Sequence, residues 1–191
     1  MVESQQRSSY TGALSPEYAL LGFLALREAH GYGLHQQLVQ ELGQVWHVSL
    51  SQTYNILGRL ERQGYISGSM LPQDKLPARR TYHLTPAGRR RFDQWLQSPS
   101  GCSVHAIRVE FSTRLYFALL LQPGYAGELI DLQVKVVQGG LQSMRNALSC
   151  MPPEQTVNRL GLSLRIRQLT SVAEWLTECR TALGPAYDME R

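Results

Sequence analysis

The sequence predicts a mostly α-helical chain with a small β-hairpin: a compact N-terminal unit of helices and hairpin, followed by an all-helical unit. Three observations carry this. Apolar residues recur three and four apart in the segments before Gly64, the pattern turns extended between Tyr65 and Leu84, and helical spacing returns beyond Gly101.

The first helix opens at Ser15-Pro16-Glu17. A serine side chain caps free N–H groups, proline suits the first helical position, and an acid there complements the helix dipole. Tyr18 to Leu26 is apolar on nearly every side, as expected of a helix buried in a small core. Gly31-Tyr32-Gly33 breaks the chain, and Leu34, Leu38 and Leu42 form one stripe before Gly43 closes a second helix. A third starts near Ser49 or Ser51, where Ser49 and Gln52 have capping-box spacing, and ends at Gly64. Its stripe is Leu50, Tyr54, Leu57 and Leu60. Tyr54 can either finish the core or touch a phosphate, and core with the hydroxyl at the rim is the preferred reading; Tyr32 and Tyr82 face the same choice, with core again preferred.

Tyr65-Ile66-Ser67 begins a strand, Leu71 to Pro77 reads as a turn-rich tip, and Arg79 to Leu84 returns as a second strand. Thr85-Pro86 starts a fourth helix, which carries Arg89, Arg90 and Arg91 and turns Phe92, Trp95 and Leu96 to a core. The polar run Gln97 to Gly101 has linker composition. Further helices are expected over Arg108 to Gln122, over Glu128 to Cys150, and after Met151-Pro152-Pro153. In the last, Leu162, Ile166, Leu169, Ala173, Leu176 and Leu183 approximate a heptad seam that calls for a partner helix, read as dimerisation. The resulting domains are a flexible N-terminus 1–12, an N-terminal domain 13–97, a linker 98–103, a helical dimerisation domain 104–185 and a tail 186–191.

Composition narrows the classes of function. The 191 residues are 43% hydrophobic with a net charge of +4, ordinary for a globular chain and only mildly basic. The N-terminus lacks the build of a signal peptide and no apolar run is long enough for a bilayer, so a cytoplasmic protein without membrane contact is expected. Cys102, Cys150 and Cys179 are widely spaced and odd in number, and none of the five histidines forms a His-x-x-x-His pair. Disulfides, metal and cofactors are therefore not expected. No Ser/His/Asp order, glycine-rich phosphate loop or paired carboxylates mark an enzyme.

Three helices followed by a hairpin is the order of a winged helix-turn-helix, in which the third helix enters the major groove of double-stranded DNA. Gln52 and Asn55 carry amides suited to adenine edges, Arg59 can address guanine or phosphate, and Ser51 and Thr53 lie where a helix N-terminus favours a phosphate. In the hairpin, Lys75, Arg79 and Arg80 form a stretch without acids that suits the DNA backbone. Trp95, Tyr116, Phe117 and Trp175 could line a pocket for a small aromatic effector, although ordinary core is the plainer reading. The alternative function is a winged-helix module that binds protein without sequence-specific DNA contacts, and the basic hairpin argues against it.

The order Leu14-Ser15-Pro16-Glu17-Tyr18-Ala19-Leu20-Leu21-Gly22, His30-Gly31-Tyr32-Gly33, Ser51-Gln52-Thr53-Tyr54, Arg59-Leu60-Glu61, Gly64-Tyr65-Ile66 and Arg79 through Gly88 resembles the PadR-like bacterial regulators. Ile107-Arg108-Val109-Glu110-Phe111 with Leu115-Tyr116-Phe117 is similar to the longer branch typified by virulence-gene activators. The resemblance implies a homodimer held by C-terminal helices, operators of twofold symmetry and, in many members, an effector pocket. Asn55 stands where many members carry proline, Gly58 where a basic residue is common, and Leu76-Pro77-Ala78 where Gly-Arg-Pro is usual. Base preference therefore does not carry over.

Overall fold

The computed structural model describes residues 15–73 and 76–183. The expected segments 1–12 and 186–191 lie outside them. The elements are α1 (Glu17–Leu26), β1 (Ala29–His30), α2 (Gly31–Leu42), α3 (Leu50–Arg62), β2 (Ile66–Gln73), β3 (Leu76–Leu84) and α4 (Pro86–Leu96). They are followed by α5 (Val104–Ala106), a π-helical turn (Ile107–Phe111), α6 (Ser112–Leu121), α7 (Pro123–Cys150) and α8 (Thr156–Leu183). A mostly α-helical chain with a small antiparallel sheet is thus observed.

Local signals set most boundaries. Ser49 accepts from the Gln52 N–H while the Gln52 side chain accepts from the Ser49 N–H, closing the capping box of α3. Gly64, at φ 74°, ends that helix in a left-handed conformation that a side chain would strain. Thr85 caps α4 through Gly88 N–H with Pro86 behind it.

Elsewhere the structure differs from the sequence reading. The sheet has three strands in the order β1-β3-β2, because Ala29 and His30 pair with Tyr82 and Thr81; two residues are too short to leave a periodic trace. The hairpin strands continue to Gln73 and Leu76, with a register irregularity between Leu71 and Gln73, so the expected turn region is largely ladder. Helix α7 begins at Pro123 rather than Glu128, since a proline that ends one helix also fits the first position of the next.

One hydrophobic cluster runs from α1 to α8. Phe117 of α6 lies edge-on to Phe23 of α1 at 5.3 Å and to Phe92 of α4 at 5.5 Å. Tyr18 stacks on Trp95 at 4.6 Å. Phe117 and Trp95 are buried as core, and Trp175 meets Phe111 edge-on at 6.1 Å. Ser100, within the segment expected to be a linker, is buried: the amide of buried Gln133 accepts from its N–H and donates to its carbonyl. Beside it, Arg114 pairs with Glu110 at 2.6 Å, donates to the Trp95 carbonyl at 2.8 Å and bonds the Ser100 hydroxyl. Trp46, after α2, donates to Thr113 of α6 at 2.8 Å. The winged unit and the C-terminal helices therefore share packing and polar contacts.

Helix α8 packs along α7 within the same chain. Of the expected seam, Leu169 and Leu176 are buried and Ile166, Ala173 and Leu183 pack against the core, so the seam's partner here is intramolecular. Leu162 is half-buried. The side chains left open on α8 are instead Val157, Leu160 and Leu164, 82%, 66% and 56% exposed. Among the described residues, no helix is long and apolar enough to cross a membrane.

Candidate nucleic-acid interface

Helix α3 presents one face to the core and one to solvent. Thr53, Ile56, Leu57 and Leu60 are buried, whereas Ser51, Gln52, Tyr54, Asn55 and Arg59 are exposed. This corrects two assignments. Thr53 is fully buried, its hydroxyl donating to the Ser49 carbonyl and meeting His35 Nδ1 at 3.1 Å, so it cannot reach a phosphate. Tyr54 is 45% exposed and belongs to the outer face; Ile56 and Thr53 take the core positions that the expected stripe gave to Tyr54 and Leu50, the latter also exposed. Tyr32 is likewise exposed at 50%, whereas Tyr82 is buried as expected.

The polar groups on this face are not equally free. The Gln52 carbonyl oxygen accepts from Ser49 N–H at 2.8 Å, so a bidentate contact to adenine would require breaking the capping box. Asn55 is exposed with neither amide atom engaged among the described residues, which makes it the better candidate for base-edge contact. Arg59 is 45% exposed and reaches across to α1, bonding Glu17 Oε2 at 2.9 Å. Glu17, itself buried, also pairs with Arg91, whose guanidinium lies 4.3 Å over the Tyr65 ring. No signal in the sequence links residues 42 and 74 positions apart, and the carboxylate that restrains Arg59 was missed for that reason.

The wing shows the same restraint. Arg80 Nη2 bonds both oxygens of Glu61, at 2.7 and 2.9 Å, and Glu61 also accepts from Gly68 N–H. Arg79 is described only as backbone of β3, and Lys75 lies outside the described residues. On α4, Arg89 pairs with Asp93 one turn on, and Arg90 is exposed.

A solvent-open cleft of about 320 Å³ separates the first turn of α2 from α3 and β3. It is lined by His30, Gly31, Tyr32, Tyr54, Arg80 and Tyr82. Glycine at position 31 permits it: a Cβ there would stand 2.5 Å from the Tyr54 ring, so the tyrosine lies directly on the α2 backbone. His30 caps α2, its Nδ1 accepting from Gly33 N–H at 2.9 Å, which leaves the proton of the neutral ring on Nε2. Arg80 stands 5.7 Å from the Tyr82 ring centroid. Burial pushes the Tyr82 hydroxyl above the ordinary phenol range, against the smaller opposing effect of Arg80. Their separation in sequence gives no sign that these tyrosines meet.

Comparison with known proteins follows the same outline. Residues 20–94 match the transcriptional regulator PadR-like family. The negative transcriptional regulator PadR of Bacillus subtilis (strain 168) is 28% identical over 131 residues, covering 69% of this chain and 71% of that protein. Among solved structures, Bacillus subtilis PadR in complex with operator DNA aligns over 87% of this chain and 98% of its own, with 24% identity and a TM-score of 0.44. A PadR-like transcriptional regulator from Bacillus cereus aligns over 88% and 98%, with 20% identity and a TM-score of 0.41. Residues 20–94 thus correspond to a PadR-like transcriptional regulator domain.

Proposed function

We propose that this regulator binds duplex DNA in the cytoplasm as a homodimer on a pseudo-palindromic operator, with α3 as the reading helix. The observation that carries the reading is the outer face of α3, where Ser51, Gln52, Tyr54 and Asn55 stand exposed with no carboxylate among them. Such a face offers hydrogen-bonding groups to base edges and phosphates without like-charge repulsion. Asn55 is assigned to bases, and Ser51, in the first turn of α3, to backbone. Arg79, Arg80 and Lys75 are assigned to wing contacts, Arg80 and Arg59 entering from existing ion pairs.

The homodimer is proposed to pair through Val157, Leu160 and Leu164, whose spacing of three and four places them on one face of α8. Leu169 and Leu176 then support the α7–α8 pair from inside each subunit. The test is selection of bound sequences from a random duplex pool at near-physiological salt, with the mass of the free protein measured in parallel. A dimer that enriches a palindrome is expected. A monomer, or a dimer that enriches nothing, overturns the proposal.

A further inference from the structure

We propose that the cleft lined by His30, Tyr32, Tyr54, Arg80 and Tyr82 seats one backbone phosphodiester of the bound duplex, beside the reading face of α3. The inference rests on the DNA-binding reading above and gives that reading a defined anchoring site.

The chemistry of the lining points to an anion. Every polar side chain lining the cleft can donate a hydrogen bond: three tyrosine hydroxyls, His30 Nε2–H and the Arg80 guanidinium. No carboxylate is among the lining residues, since Glu61 holds Arg80 from outside that set. The first turn of α2 adds backbone N–H groups without intrahelical partners, together with the positive end of the helix dipole.

The stronger observation is Tyr82. The residue is only 6% exposed, and its hydroxyl makes no hydrogen bond among the described residues; it is not one of the buried unpartnered atoms, so it opens into the cleft. A hydroxyl that opens into the cleft without a protein partner has its proton free to donate to a ligand seated there. The neighbouring Tyr32 hydroxyl accepts from Gln36 at 3.2 Å, so its own proton remains available to donate.

Position selects the source of the anion. Tyr54 lies on α3 between Ser51, three residues before it, and Asn55, next to it, so a phosphate in the cleft is continuous with the strand whose bases Asn55 would read. The cleft is open and about 320 Å³, room for a phosphodiester with its attached sugar. Arg80 supplies the charge and the tyrosines fix orientation, a neutral set of donors around one cation.

The test compares the full-length wild type with Tyr82→Phe and Tyr54→Phe on a selected duplex and on an unrelated one. Both variants keep the ring, so circular dichroism and melting temperature should match the wild type. Loss of a hydrogen bond to a charged phosphate should weaken binding about tenfold on both duplexes, with the salt slope unchanged because the lost group is neutral. A methylphosphonate at the seated position should weaken the wild type by more than it weakens Tyr82→Phe, the difference reporting the lost tyrosine hydrogen bond. Variants that bind both duplexes as tightly as the wild type overturn the seat while leaving the DNA reading intact. A wild type that binds no duplex overturns the DNA source, and titration with inorganic phosphate, followed through the His30 ring resonances, then decides the remainder. Shifts abolished by Tyr82→Phe would assign the cleft to a free phosphate group, and the absence of shifts would overturn the site altogether.

Discussion

Two glutamate–arginine clusters, alike in chemistry, differ in what surrounds them. Glu110 and Arg114, at the junction of the winged unit and the C-terminal helices, are 2% and 3% exposed, and Arg114 also binds the Trp95 carbonyl and the Ser100 hydroxyl. Glu17, beside the reading helix, is nearly as buried, but its two arginines are 45% and 25% exposed. The buried pair cannot trade partners without moving the core. The other holds cations that face solvent and can turn toward a phosphate, with the carboxylate as the alternative partner. The same pairing therefore locks one region and restrains a contact in the other.

The largest way to break the comparison is Arg114→Ala. It strands Glu110 in the core and removes three bonds, so unfolding in urea should show a loss of about 3–5 kcal/mol. A loss near 1 kcal/mol or less would mean that the junction is wetter than its burial implies. Glu17→Gln should cost less, about 1–2 kcal/mol, because the freed arginines are partly solvated. It should also tighten DNA binding and steepen its salt dependence, measured by anisotropy across a salt series. An unchanged slope would show that Arg59 and Arg91 never leave Glu17 for DNA.

Arg80→Ala should weaken binding on every duplex. Its salt slope should flatten by less than the ~0.9 expected per neutralised phosphate, because Glu61 already offsets part of the charge. A full-unit change would mean that the Glu61 pair opens completely on binding. The smallest effect concerns pH. Burial raises the Glu110 carboxyl above the ordinary carboxylate range, with Arg114 and Trp95 opposing more weakly. The folded state thus holds that proton more tightly than the unfolded chain. This contribution is complete below the ordinary carboxylate range and fades as pH rises through the raised value. Wild type should therefore lose ground to Glu110→Gln as pH rises above the ordinary carboxylate range, read from urea midpoints; a pH-independent difference contradicts the assignment.

These clusters also mark what could be read from the sequence. The α3 cap, Gly64 and the Thr85-Pro86 start of α4 were legible because each depends on residues within a few positions. The Glu17 cluster was not, because its members come from α1, α3 and α4. The heptad-like seam of α8 suggests dimerisation, but periodicity records only that an apolar stripe is covered, and within the chain α7 packs along α8. Gln52 shows a subtler loss: its capping role and its candidacy for base contact were both visible, yet only geometry shows that they compete for one oxygen. Tyr32, Tyr54 and Tyr82 stand at wide sequence separation, so their convergence belongs to the fold alone.

The length of α8 has a consequence beyond packing. At 28 residues it extends about 42 Å, and its C-terminal part is tied to the winged unit's neighbours through Trp175 and Phe111. The exposed stretch from Val157 to Leu164 lies at the far end, where Arg159 holds the Leu148 and Met151 carbonyls of α7, so α7 and α8 act as one lever anchored where Trp175 meets Phe111. Val157 lies about 27 Å from Trp175, so a tilt of roughly 10° at that anchor sweeps the far end through about 5 Å, about one and a half steps of the DNA ladder. In the proposed dimer, repacking a few side chains at the anchor would be geared up into a change of half-site spacing, without any alteration of the reading helices themselves.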